Sequence, residues 1–292
     1  MSSKTLWLVV AFVGGALVGG GTPVLAQMGQ NPTGTQNPAT QQPGQNRSQS
    51  QKQAGNSLDI PTANSDDAAA AKAFQQMPNT DLQKKIAAGE EFLQKYPDSQ
   101  FRPVIYSGLT FDYLLSGNAP KAVETGEKEV ALKPDDVQTL ALLGQTIPRA
   151  INANTAEPTK QLDKAEGYAK RAIEVTPTIT KPEGMPDQNF IAAKNGTLAM
   201  AHSGLGLVYF RRGKFNDAIP ELEQSVKIDP NPTPDPVNLY LLGLSNQKAS
   251  HFDEAAAAFN KCASIAGNLQ NPCRNGADEA KKQASTQLSA PK

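Results

Sequence analysis

His202-x-x-Leu205-Gly206-x-x-Tyr209, followed by Ala218-x-x-x-Leu222 and Pro230, is echoed by Leu239-x-x-Leu242-Gly243-x-x-Asn246, Ala255-x-x-x-Phe259 and Gly267. The landmarks recur 37 positions on: 206 to 243, 218 to 255, 222 to 259. Within each unit the apolar residues follow a helical period in two segments. The spacing therefore predicts two antiparallel helices per unit. Gly206 and Gly243 let the first helix approach the second at Ala218 or Ala255, while Leu205, Tyr209, Leu222, Leu242 and Phe259 fill the layer between units. A lone hairpin leaves one face uncovered, and stacking successive hairpins buries a continuous core.

The same reading extends upstream. Leu140-x-x-Leu143-Gly144-x-x-Ile147 is another first helix, and its second helix carries Ala165, Ala169, Ala172 and Pro177 after an insertion around Asn152 to Pro158. Before it, Tyr106-x-x-Leu109-Thr110-x-x-Tyr113 pairs with Ala122, Gly126 and Pro134. Leu82 to Tyr96 reads as a second helix whose partner is the Ala-rich segment from Asp66 to Met77. Lys133-Pro134 and Asp229-Pro230 stop second helices, because the residue before proline is biased away from the α region. Asp187 is read as the N-cap of a helix through Phe190 to Asn195, continuing past Gly196 to Arg212.

These landmarks resemble the tetratricopeptide repeat family, whose pattern is a bulky residue, Leu-Gly and Tyr, then Ala, Phe and a terminal Pro. The resemblance runs over residues 66–267 and is strongest in the units 199–232 and 236–269. It departs from the pattern at Thr110, in place of the small Gly, at Gly126, in place of the large apolar residue, and at the split third unit. It implies an all-α fold, a right-handed superhelix of stacked antiparallel hairpins with roughly four to five units. Ala277, Ala280, Ala284 and Leu288, in a segment running from residue 274 to 288, are expected to form the polar-backed helix that caps such a stack. The family's pattern turns Ser203, Leu207, Phe210 and Arg211 inward in one unit, and Tyr240, Leu244, Gln247 and Lys248 in the next. It also implies that a carboxylate clamp for chaperone tails is absent, since Ser203, Leu207 and Val237 occupy its slots.

The 292 residues carry 28 basic and 28 acidic side chains, so the chain lacks the positive field that nucleic acid or an anionic membrane would select. Lys4, the apolar run from Leu6 to Val18 and the Val24-Leu25-Ala26 end have the three-part form of a signal peptide over residues 1–26. An uncleaved anchor is the alternative, and no other membrane span is expected. Residues 27–57 are Gln, Asn, Pro, Gly, Ser and Thr with few others, a composition expected to stay disordered ahead of a repeat domain at 58–292. In an exported chain Cys262 and Cys273 are expected to pair, with two buried free thiols as the alternative.

Chemistry is sparse. There is no GxxxxGK[ST], GxSxG or HExxH, and no spacing that positions metal ligands, so neither cofactor nor metal is expected. His202 sits in the bulky slot of a helix, and His251 opens the last second helix. Asp135-Asp136 after Pro134 suits a helix N-terminus. Asn46-Arg47-Ser48 and Asn195-Gly196-Thr197 match the glycosylation sequon. What remains is surface. The reading is an exported, periplasmic or secreted, non-enzymatic scaffold for a protein or peptide partner in the cell envelope. The alternative is an accessory module that recognises cell-wall or secreted polymer.

Overall fold

The computed structural model describes residues 66–289, with side chains to residue 287. The leader at 1–26 and the linker at 27–57 lie outside the described residues, as do 58–65. The described chain is eleven α-helices without a strand: α1 (Asp66–Gln76), α2 (Leu82–Lys95), α3 (Arg102–Leu115), α4 (Ala119–Leu132), α5 (Val137–Ala150), α6 (Pro158–Val175), α7 (Asp187–Arg211), α8 (Phe215–Ile228), α9 (Pro236–Lys248), α10 (Phe252–Ala263) and α11 (Gln270–Ser289). They pack as the hairpins α1–α2, α3–α4, α5–α6, α7–α8 and α9–α10, with α11 closing on α10. First helices also touch one another, α1 on α3, α5 on α7, α7 on α9, and α9 on α11. The result is an all-α solenoid. None of its described helices is long and apolar enough to cross a membrane.

Each hairpin closes where a small residue meets a large one. A Cβ on Gly206 would lie 2.7 Å from Leu222, and one on Gly243 would lie 2.6 Å from Phe259. Both large partners are fully buried, and Ala218 and Ala255 sit beside them. The α3–α4 hairpin makes the same fit with the sizes exchanged. Thr110 holds the small slot and Gly126 the large one, and a Cβ on Gly126 would come within 3.3 Å of Thr110 and 2.9 Å of Leu143. Thr110 is buried, and its hydroxyl donates to Tyr106 O at 2.8 Å with the Thr125 hydroxyl 3.1 Å away. The two departures from the repeat pattern therefore compensate each other.

The hairpin turns share one device. After α3, α7 and α9 the chain passes through the left-handed region at Gly117, Gly213 and Ser250, and Asn118, Lys214 and His251 donate backbone N–H back to Tyr113, Tyr209 and Asn246. Ser250, with φ of 64°, holds this conformation without being glycine. Ser250→Gly is expected to raise stability by about 0.5–1 kcal/mol, a rise readable in a urea midpoint at unchanged slope.

Two boundaries differ from the sequence reading. Asp187 does not cap α7. Pro186, in extended geometry, precedes the helix, and the Asp187 carboxylate pairs with Lys181. α7 runs unbroken through Gly196, so the sequon Asn195-Gly196-Thr197 lies inside a helix, where the buried Thr197 hydroxyl donates to Ala193 O at 3.1 Å. The capping helix begins at Gln270, not at Arg274, because Pro272 falls in its first turn, where a missing N–H costs nothing. Cys273 is thus inside α11 and is bonded to Cys262 in the last turn of α10, Cα to Cα 5.8 Å. Both are fully buried with Phe259, Ala277 and Ala280. Reduction is expected to lower stability by about 2–3 kcal/mol, seen as a fall in the thermal midpoint on adding dithiothreitol. Titration of the unfolded, unreduced protein should find no free thiol.

Candidate functional site

The first helices α5, α7 and α9 touch in sequence, and their junction is polar. Gln145 and Arg149 project from the last half of α5, Ser203 from the middle of α7, and Asp235 and Asn238 from the start of α9. The Ser203 hydroxyl lies 2.7 Å from Asn238 Oδ1 and 3.1 Å from Gln145 Nε2. Arg149 Nη2 lies 3.4 Å from that hydroxyl and 3.2 Å from Asp235 Oδ2. Asn238 Nδ2 passes the chain on to Ser225 Oγ at 3.1 Å, which donates to Ala199 O at 2.8 Å. Asp235 also caps α9, accepting from Val237 N at 2.8 Å ahead of Pro236. Arg149 Nε is buried with no hydrogen-bond partner.

The eight residues read as inward-facing divide. Ser203 is 2% exposed and spent on the polar cluster, and Leu207 is 8% exposed in the core with Leu222, Leu241 and Leu242. Neither presents a side chain to a partner, because α5 and α9 close over Ser203 and α8, α9 and α10 enclose Leu207. Tyr240 and Leu244 pack partly against Phe259 and the buried cluster beneath α11, and burial pushes the Tyr240 phenol up. Phe210 is half-buried edge-on to Phe215, and Gln247 Nε2 donates to Gln283 of α11 at 2.9 Å. Arg211 and Lys248 remain exposed. Each falls five residues after its helix's landmark glycine, and Arg149 falls five after Gly144. Burial among the surrounding chain holds the Arg211 guanidinium below its usual range.

The sequence reading missed Gln145, Arg149, Asp235 and Asn238. The register of Arg149 against Arg211 and Lys248 was the available signal, and so was Asp235-Pro236 as a cap followed by a first-turn proline. His202 is half-buried, its Nδ1 2.6 Å from the Glu221 carboxylate across the hairpin, and His251 is exposed at the N-terminus of α10. Among the described residues no three of His, Cys, Asp and Glu gather as metal ligands.

Stacked two-helix modules define a helical-repeat scaffold, a class that works by surface contact. Residues 199–232 match the tetratricopeptide repeat, and the chain carries a repeat of that family there. The chain is similar to a thermophilic tetratricopeptide repeat protein in Thermus thermophilus (19% identity over 73% of this chain and 98% of that one, TM-score 0.46). It is similar also to PilW, a type IV pilus biogenesis factor (15% identity, 76% and 93%, TM-score 0.49), and to MamA from Desulfovibrio magneticus (16% identity, 67% and 94%, TM-score 0.47). No curated protein matches the chain.

Proposed function

We propose that the chain is a non-enzymatic scaffold of the cell envelope that holds a segment of another protein along its first-helix face. The observation that carries this reading is the pair Arg211 and Lys248, exposed on adjacent first helices beside the half-buried Phe210 and Leu244. An apolar floor under unpaired cations is the composition of a contact surface. The apolar leader with its small-residue end supports export.

A photo-crosslinking residue placed at 211 or 248 should trap a protein in the envelope fraction, and one placed at the exposed Glu223 of the second-helix layer should not. Equal trapping from both layers, or trapping only from position 223, would remove this face as the binding surface. The exported protein should lack residues 1–26, and full-length chain confined to the cytosol would overturn the envelope assignment.

A further inference from the structure

We propose that the first-helix face selects an extended protein segment bearing two acidic side chains three residues apart, one held by Arg211 and the other by Lys248. This rests on the reading of that face as a binding surface and adds the chemistry of what it takes. The two cations occupy the same position in neighbouring units, five residues after Gly206 and five after Gly243, at the C-terminal ends of α7 and α9. Packed helices lie about 8–10 Å apart. An extended chain advances about 3.3 Å per residue, so about three residues bridge neighbouring helices.

Of the three cations at this register, on α5, α7 and α9, only the last two are unpaired. Arg149, their equivalent on α5, is already neutralised by Asp235 at 3.2 Å. Arg212 is paired with Asp163 at 2.6 Å, Arg171 with Asp135 at 2.7 Å, and Lys164 with Glu127 at 2.7 Å. Arg211 and Lys248 have no acidic partner among the described residues. One step beyond Arg149, the equivalent position on α3 is Leu115, so an acidic pair cannot slide along the stack and keep both contacts. Phe210 and Leu244 flank the cations, which favours apolar residues between the two acids.

The test uses the chain lacking residues 1–26 and labelled peptides read by fluorescence anisotropy. One peptide carries Asp-Leu-Leu-Asp, a second Asp-Leu-Asp, and a third Asn-Leu-Leu-Asn in the same frame. The first is expected to bind about tenfold tighter than the third, with an advantage that shrinks as salt is raised. Arg211→Glu/Lys248→Glu should abolish the preference, and Arg211→Lys/Lys248→Arg should retain most of it. Both sites are exposed, so folding is checked simply by the helical signal at 222 nm. Equal binding of the Asn peptide would overturn the charge assignment. Binding of all three peptides that falls with Phe210→Ala would do so while leaving the binding face intact. Failure of every peptide, together with no trapping from positions 211 and 248, would remove both. Capture by anionic vesicles with no preference among peptides would likewise overturn it, in favour of a charged surface.

Discussion

Gly204→Val is expected to lower stability by about 3 kcal/mol or more and the thermal midpoint by at least about 6 °C. At this position α5 and α7 touch backbone to backbone. A Cβ on Gly204 would stand 2.4 Å from Gly144 O, 2.6 Å from Gly144 C and 2.8 Å from Gln145 N. Those atoms belong to a helix and cannot rotate away, unlike the Leu222 side chain that meets Gly206. The two helices would have to separate, which would also open the hairpin beneath, since a Cβ on Gly144 would already meet the Ala169 backbone at 3.0 Å. Gly167→Ala is the control. Nothing lies within 4 Å of a Cβ there, so it should gain about 0.5–1 kcal/mol from helix propensity alone. A Gly204→Val protein melting with wild type would show that α5 and α7 are not in contact.

Glu129→Gln is expected to be more stable than wild type at pH 8–9 by up to a few kcal/mol, with the difference fading toward pH 5. Glu129 lies on α4 with its side chain fully buried against the start of α5. Burial first, and then the Asp136 carboxylate, push its pKa up to about 8, against the opposing pull of the Thr139 hydroxyl and Lys133. The folded state therefore holds a proton that the unfolded chain releases at ordinary carboxylate pH. Stability is full below about pH 4.5 and is lost as pH rises through about 8, where the fold must carry a buried charge. The neutral amide removes that slope. Denaturant midpoints of the two proteins from pH 5 to 9 decide it, and a difference independent of pH would show that Glu129 titrates normally. Asp112 makes the contrast. It is equally buried, but Lys85 lies 3.3 Å away and opposes the upward push of burial.

The sequence carried the modules well, because the hairpin contact needs a small residue opposite a large one at fixed separation. Gly206 with Leu222 and Gly243 with Phe259 are such pairs, and Thr110 with Gly126 keeps the separation while exchanging the sizes. It carried less of what depends on distant units. Ser203 and Leu207 were assigned inward by register alone, yet α5 crosses close enough to α7, at Gly144 and Gly204, to cover Ser203, and Leu207 is buried among α8, α9 and α10. That crossing comes from glycines 60 positions apart, which no local pattern connects. The cap was placed at 274–288 on the spacing of its alanines, whereas α11 starts at Gln270 with Pro272 in its first turn, where proline is neutral. Glu129 shares a helical stripe with Ala122 and Gly126, a phase that pointed to the interior.

The Arg149–Asp235 pair joins α5 to α9 and so skips the unit between them. In an ideal linear array each module feels only its immediate neighbours, and the ends fray independently. Here the third, fourth and fifth modules share one tether, with Ser203 of the middle one bound into it. Amide protons of α5, α7 and α9 should exchange with a common opening free energy, while α1 and α2 open earlier on their own. Severing the tether with Arg149→Met should split that common event into separate steps, turning a concerted block into a string of loosely linked parts.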